Sequence, residues 1–361
     1  MIGGFLGAGK TTAVGQLAKR LSGQGLRVGL ITNDQGRDLV DTAMLRSQGF
    51  ATEEISGGCF CCRFNSLVEA AQKLTEGTRP EVFVAEPVGS CTDLVATVTY
   101  PLRRLYGKHF TIAPLSVLVD PIRARRIFGL EKGGSFSDKV LYIYQKQLEE
   151  ADIIVISKAD VLNASQTDEL RHAISARYAK AQVLAVSART GLNLDAWFNR
   201  ISSGEQSARP TMPMDYDIYA EGEALLGWLN CTAELSADAE FSADEYLKRL
   251  AATIQRGLNA AGAEIAHLKM TLTPDDGLGN IAVINLVRND FVPELSVELE
   301  DPLQGGQLIV NLRAEAAPDV LGAVVQAALA SGAPGVRARL DHLEHFRPGR
   351  PAPTHRDQQL T

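Results

Sequence analysis

Two clusters along this chain have residue types and spacing suited to chemistry. The first, Gly4-Phe-Leu-Gly7-Ala8-Gly9-Lys10-Thr11-Thr12, fits G-x-x-x-x-G-K-[ST], a phosphate-binding loop. Glycines let backbone N–H groups turn inward around a β-phosphate, and a helix starting near Lys10 aims its positive end at the same point. Lys10 reaches the β- and γ-phosphates, and the Thr11 hydroxyl suits Mg²⁺. The second cluster is Ser56-Gly57-Gly58-Cys59-Phe60-Cys61-Cys62-Arg63. Thiolates are soft ligands for Zn²⁺, Cu⁺ and, in mixed sites, Co²⁺ or Ni²⁺. Two or three from one turn cannot close a tetrahedral site, so an open, exchangeable site is expected. A redox-active or merely buried thiol cluster is the competing reading. The chain has 5 cysteines, an odd number, and three of them crowd together here, so no disulfide framework is expected. Cys91 and Cys231 stand apart and read as small buried apolar residues.

Three further segments follow the phosphate loop in order. In Glu81-Val-Phe-Val-Ala-Glu86-Pro-Val-Gly89, an apolar run carries Glu86 to the carboxyl edge of a sheet, where ligands bind in such folds. Glu86 can hold a water on Mg²⁺, and the Gly89 amide can sense a γ-phosphate. In Ile153-Ile-Val-Ile-Ser157-Lys158-Ala159-Asp160, Asp160 can accept from guanine N1–H and N2–H while the Lys158 stem lies over the base. Ser157 stands where guanine-specific loops carry Asn, and one neutral hydrogen bond is worth only about 0.5–1.5 kcal/mol. In Val186-Ser187-Ala188-Arg189-Thr190-Gly191, the backbone of Ser187 and Ala188 can contact guanine O6. Together these favour GTP over ATP.

The elements that must hold these residues alternate. Apolar runs at 26–32, 82–85, 115–119, 153–156 and 183–186 read as buried strands, with a shorter one at 53–55. Helical patterns separate them near 10–21, 66–74, 137–151, 167–177 and 195–201. That alternation predicts an α/β fold, a parallel sheet with helices on both faces, over residues 1–201. Residues 202–215 (SSGEQSARPTMPMD) read as a linker, 216–346 as a smaller C-terminal α+β domain, and 347–361 as a disordered tail. Only Met1, Ile2 and Gly3 precede the phosphate loop, which favours a natural start upstream of Met1. The 361 residues suit two domains. A net charge of −7 speaks against a nucleic-acid binder held by a broad basic face. With no long apolar run and no signal-like N-terminus, a cytoplasmic protein without membrane contact is the default expectation.

Gly-Cys-x-Cys-Cys inside a phosphate-loop GTPase resembles the CobW-type family of metallochaperone GTPases, over about residues 1–200. The resemblance implies a GTPase that is slow without a partner, with GTP and Mg²⁺ bound and Zn²⁺ or Co²⁺, or else Ni²⁺, as cargo. It places the phosphate loop on Gly4–Thr12, the metal motif on Cys59, Cys61 and Cys62, Glu-x-x-Gly on Glu86 and Gly89, and base recognition on Lys158 and Asp160. The family's switch falls on Asn33-Asp34-Gln35-Gly36 and Asp41, with Asp41 a further Mg²⁺ candidate. Lys10, Asp34 and Glu86 are then the catalytic candidates, with Gln35 beside them for positioning water. Asp34 and Gln35 replace the usual Glu and Phe. A client metalloprotein or cofactor-synthesis enzyme, and a nucleotide-dependent homodimer, are the implied partners. Two other classes stand beside this one. A GTP-dependent scaffold for metalloenzyme or corrinoid-protein assembly would transfer no metal. A phosphotransferase would need an Arg-bearing lid, for which Ile122–Arg126 is the candidate, although it reads better as a helix face. His342 and His345, three apart on an expected helix, could share a metal but read better as a solvated face.

Overall fold

The computed structural model describes residues 1–36 and 40–359. It divides into two compact units. The first comprises 1–35, 50–222 and 350–361; the second comprises 36–49 and 223–349.

The strands of the first unit are β1 (Ile2–Gly4), β2 (Val28–Asn33), β3 (Thr52–Ile55), β4 (Val82–Glu86), β5 (Ser116–Val119), β6 (Ile153–Ile156) and β7 (Gln182–Ala185). They pair in parallel, in the orders β3-β2-β4 and β1-β5-β6-β7, with β4 alongside β1. Between them run α1 (Lys10–Gly23), α3 (Phe64–Gly77), α4 (Tyr100–Tyr106), α5 (Pro121–Ile127), α6 (Asp138–Glu150), α7 (Ala164–Arg177) and α8 (Leu194–Ser203), while α2 (Val40–Ser47) falls in the second unit. β5 and β6 are apolar along nearly their whole length and fully buried, as a sheet covered on both faces requires. The three-residue β1 suffices as a strand because each residue pairs with β5, Ile2 opposite Ser116 through Gly4 opposite Leu118. Residues 202–215 are laid down on this unit: Gln206 N–H donates to the Ile112 carbonyl, and Arg209 N–H to the Tyr100 hydroxyl at 2.7 Å.

The second unit holds an antiparallel six-stranded sheet, in the order β11-β10-β9-β12-β8-β13. Its strands are β8 (Leu226–Phe241), β9 (Glu264–Pro274), β10 (Ala282–Leu286), β11 (Glu294–Val297), β12 (Leu303–Glu315) and β13 (Val336–Phe346). The helices are α9 (Tyr216–Leu225), which spans the boundary between units, α10 (Ala243–Ala260) and α11 (Pro318–Ser331). Alternation along β12 splits its side chains between two faces. Leu308, Val310 and Leu312 join α10 and α11 in the main core, while Ile309 packs with Val40 and Met44 of α2.

Two expectations are overturned here. Residues 336–346 form a strand, not a helix, so His342 and His345, three apart, face opposite sides of the sheet and cannot share a metal. Residues 350–358 are not a loose tail, because they hydrogen-bond into the first unit.

Candidate nucleotide and metal site

Gly4, Gly7 and Gly9 all adopt positive φ, at 132°, 77° and 85°. The loop folds through this region, which side chains disfavour, and delivers Gly9 as the N-terminal residue before α1. A Cβ at Gly4 would stand 2.3 Å from the Leu118 carbonyl oxygen, so the loop leaves β1 hard against β5. Lys10 is buried and its Nζ lies 3.4 Å from the Phe5 carbonyl, folded over the loop it would serve. Thr11 donates to Glu86 Oε1 at 3.0 Å, and both residues are buried. A hydroxyl and a carboxylate in contact at the mouth of a phosphate loop are a hard-oxygen pair that fits Mg²⁺. Gly89 is pressed on the same loop: a Cβ there would come within 2.7 Å of the Leu6 side chain. Thr12 follows on α1 and is exposed.

Lys158 sits in left-handed conformation with φ 48°. Its Nζ donates to the Gly7 carbonyl at 2.9 Å and pairs with Asp120 at 3.0 Å, which ties the loop after β6 to the phosphate loop. Ser157 donates to the Val119 carbonyl at 2.8 Å, holding β6 to β5. Asp160 keeps its carboxylate near the surface, 4.0 Å from the Arg189 guanidinium. Ser187 is buried and its hydroxyl accepts from Thr190 N–H, which shapes the turn that carries Ala188. The basic segment after β5 is helical. Arg123 is buried, donates to the Leu6 carbonyl at 2.7 Å and lies over the Phe5 and Phe136 rings. Arg125 is buried and pairs with Glu131 and Glu169 nearer the surface. These cations brace the loop and the helix instead of forming a lid for a phosphate acceptor.

The cysteine turn opens on Gly57 and Gly58, both at positive φ. It closes on itself, with the Cys62 and Arg63 N–H groups both donating to the Cys59 carbonyl. The sulfurs of Cys59, Cys61 and Cys62 lie within 4.8 Å of one another, at 2.8, 3.2 and 3.7 Å. Zn–S bonds of about 2.3 Å in tetrahedral geometry set sulfurs about 3.8 Å apart, so a small spreading of this group accommodates an ion. Cys59 and Cys61 are buried, while Cys62 reaches solvent. The thiols share protons unequally. Hydrogen bonding with Cys61 and Cys62 holds the Cys59 thiol well below the ordinary thiol range. The contact with Cys59, together with burial, pushes Cys61 up and Cys62 to about 11. Cys59 is thus the most readily ionised thiol of the three, and a bound metal would displace the protons of all of them.

The CobW/HypB/UreG nucleotide-binding domain model matches residues 1–185. The chain belongs to that family. It is 28% identical over 220 residues to the zinc chaperone CobW of Sinorhizobium sp, a match covering 53% of this chain and 58% of the relative. To the zinc chaperone YeiR of Escherichia coli it is 30% identical over 165 residues, covering 44% of this chain and 46% of the relative. The chain thus spans about half the length of the curated relatives it matches. The crystal structure of the Zn(II)-bound YjiA GTPase from E. coli aligns at a TM-score of 0.36 and 16% identity, over 91% of this chain and 97% of that one.

Within this CobW/HypB/UreG domain, two residues take positioning roles that the sequence reading did not give them. Asn33 is buried at the end of β2; its amide donates to the Ile55 and Gly58 carbonyls at 2.9 and 2.7 Å and accepts from Phe60 N–H at 2.9 Å. Thr32, one residue earlier, pairs level with Glu86 across β2 and β4. One strand end therefore lies beside the Mg²⁺ candidate and also clamps the cysteine turn. Asp120 caps α5 through Arg123 N–H and anchors Lys158; only its place just after a buried strand could have flagged it. Asp34 follows Asn33, its carboxylate accepting from Gln35 N–H, and residues 37–39 of the expected switch lie outside the described residues. Asp41, the further Mg²⁺ candidate, lies on α2. It belongs to the second unit, where Lys269 pairs with its carboxylate and Val40 N–H donates to Asn311.

Residues 350–358 cover the cysteine turn. Ala352 N–H donates to the Cys62 sulfur at 3.3 Å, Thr354 N–H to the Cys61 carbonyl at 2.9 Å, and the Thr354 hydroxyl to the Cys62 carbonyl at 3.2 Å. The His355 ring stands edge-on against Phe64 at 4.9 Å, and Arg356 pairs with buried Asp93 at 2.7 Å.

Proposed function

We propose that this chain is a GTP-hydrolysing metallochaperone that takes a transition metal on Cys59, Cys61 and Cys62 and passes it to a client metalloprotein or a cofactor-synthesis enzyme. The observation that carries this reading is the Asn33 clamp, which ties three converging sulfurs to the strand end level with Glu86. The relatives named zinc chaperones favour zinc as the cargo.

In this reading the Gly4–Thr12 loop wraps the phosphates, and Lys10 swings from the Phe5 carbonyl to the γ-phosphate. Thr11 and Glu86 would hold Mg²⁺. Bound Mg²⁺ neutralises charge on the β- and γ-phosphates. Gly89 senses the γ-phosphate against Leu6, Asp160 selects guanine, and Ser187 and Ala188 close on its O6. Asp34, Gln35 and Glu86 are the groups placed to orient a water. Among the described residues few groups near the loop suit that task, and in this reading turnover is slow until a partner or a second copy completes the site. A shift of β2 on γ-phosphate loss travels through Asn33 to the sulfurs and changes metal affinity. Coupling of about 1–3 kcal/mol corresponds to about 5–150-fold.

Zinc titration of the full chain with a non-hydrolysable GTP analogue, and again with GDP, tests the proposal. The expected result is at least about fivefold different affinity between the two states, lost when Cys61 and Cys62 are changed to Ser. Equal affinities would remove the coupled mechanism. Zinc binding indifferent to the double substitution would remove the cargo site.

A further inference from the structure

Residues 350–358 form neither helix nor strand, yet three sets of bonds tie them to the first unit. At the cysteine turn, Ala352 N–H donates to the Cys62 sulfur at 3.3 Å and Thr354 N–H to the Cys61 carbonyl at 2.9 Å. Next along the segment, Arg356 pairs with Asp93 at 2.7 Å and donates to the Met212 carbonyl at 3.2 Å, while Asp357 N–H donates to the Ala96 carbonyl at 2.8 Å. At the far end, the Thr211 N–H and hydroxyl both donate to the Gln358 carbonyl, at 3.1 and 3.0 Å. Asp93 is the fixed half of the ion pair: its side chain is 1% exposed, and the Tyr216 hydroxyl donates to it at 2.7 Å. Arg356 is the loose half, with its side chain 29% exposed on a segment that has no ladder of its own.

We infer that residues 350–358 are a gate on the cargo metal: latched by Arg356 on Asp93 they keep the ion on the cysteine turn, and unlatched they open Cys62 to the ligand of a recipient. This rests on the cargo reading above and deepens it, by adding how the ion is kept and released. Cys59 and Cys61 are buried, and Cys62 is the member of the turn that reaches solvent. A recipient's ligand therefore approaches the ion beside Cys62, where Ala352 N–H sits in the closed form. In the exchange a recipient thiol bonds the ion as the Cys62 sulfur leaves it, and the proton that the recipient thiol gives up goes to Cys62.

The two ends of the gate act on different quantities. The Ala352 N–H fixes the direction of the Cys62 sulfur and draws charge from it, and losing such a partner typically lowers metal affinity about 10–100-fold. The latch acts on the rate. A segment held by exposed hydrogen bonds opens at less cost than the sheet beneath it. Unlatching also takes a cation from a buried carboxylate, which favours reclosing. The ion is thus kept by a cover that opens without unfolding the domain.

The test mixes the zinc-loaded full chain with an excess of a chromogenic chelator and follows release from the wild type, from Ala352→Pro and from the pair Asp93→Asn with Arg356→Ala. The pair breaks the latch without leaving a buried charge, and Asn tolerates the φ of 64° at position 93. Binding of a fluorescent GTP analogue serves as the folding control. Release from the pair should be faster by about tenfold or more, the worth of one charge-assisted hydrogen bond. Arg356→Lys keeps the cation and should release close to the wild-type rate. Ala352→Pro removes the N–H and should lower zinc affinity by about tenfold or more. With Co²⁺ in place of zinc, the same variant should move the thiolate charge-transfer band to lower energy, which a merely looser fold would not do. Release from the pair at the wild-type rate, or a band unmoved in Ala352→Pro, overturns the gate and leaves the three-cysteine cargo site standing. No zinc on the wild type, or zinc indifferent to Cys61→Ser and Cys62→Ser, overturns both. Should the pair fail to bind the analogue, Ala352→Pro decides alone.

Discussion

Asn33 shows how one side chain gains a role from what it touches. Its amide uses a donor and an acceptor on three backbone groups around the cysteine turn, two of them inside the turn itself. Asn33→Ala leaves buried backbone groups without that partner, at a cost of about 1–3 kcal/mol. We expect zinc affinity to fall by about 5–150-fold, with GTP affinity unchanged, in parallel titrations of metal and nucleotide. Equal losses of both would mean the residue only stabilises the fold. In the proposed function, Asp160 offers acceptors to the donors of guanine. Asp160→Asn turns one acceptor into a donor. Guanine nucleotide affinity should then drop by about 10–150-fold, the worth of one charge-assisted hydrogen bond, while xanthine nucleotides gain. A competition binding series with GTP, XTP and ATP checks it, and an unchanged order among the three would exclude Asp160 from base recognition.

At the scale of elements, the terminal strap and α2 are the two that local pattern did not announce. Residues 350–358 are rich in Pro and polar groups, a composition that reads as disorder. They are nonetheless ordered by backbone hydrogen bonds to Cys61 and Cys62 and by the Arg356–Asp93 pair. A chain ending at Gly349 should expose Cys62, the one turn thiol already in contact with solvent. Its alkylation by iodoacetamide, followed by peptide mass spectrometry, should quicken several-fold in the metal-free protein. The rate at Cys231 should stay as it was. If Cys62 reacts at the same rate in both chains, the strap does not cover it. The helix α2 has the opposite history: Val40 and Met44, four apart, make one apolar stripe, and it packs on Ile281, Val283 and Ile309 of the antiparallel sheet. The expected switch segment therefore begins in the first unit and continues in the second.

For the whole molecule, stability against pH is governed in part by Glu150, the last residue of α6. It is buried and accepts from the Thr92 hydroxyl and from Val95 N–H. Burial, against the pull of those donors, raises its carboxyl from 4.5 to about 8. The folded protein thus binds a proton that the unfolded chain has released. The associated stability is fully present below about 4.5 and is lost as pH rises through about 8. Glu150→Gln stays neutral and keeps one acceptor, so its melting temperature should fall less than that of the wild type between pH 5 and pH 8.5. Parallel melting curves across that range would show that Glu150 does not set this slope.

Read by itself, the sequence determined the parts that depend on short range. The glycine spacing of the phosphate loop, the apolar strands of the parallel sheet, the carboxylate at the end of β4 and the crowded thiols of the turn are each written within about ten residues, where backbone conformation and periodicity act directly. It also suggested a helix around His342 and His345, because a stretch of Leu, His and Arg with mixed spacing is ambiguous between helix and strand until a neighbour supplies the ladder, and here that neighbour is β8. Only the tertiary structure decided which distant groups meet. Asn33 under the turn, Asp120 on Lys158, Asp41 on Lys269 and the strap over Cys62 are contacts between segments far apart in the chain. Side-chain identity permits such contacts but does not specify them, because the free energy that enforces them comes from packing the whole sheet, not from the residues that touch.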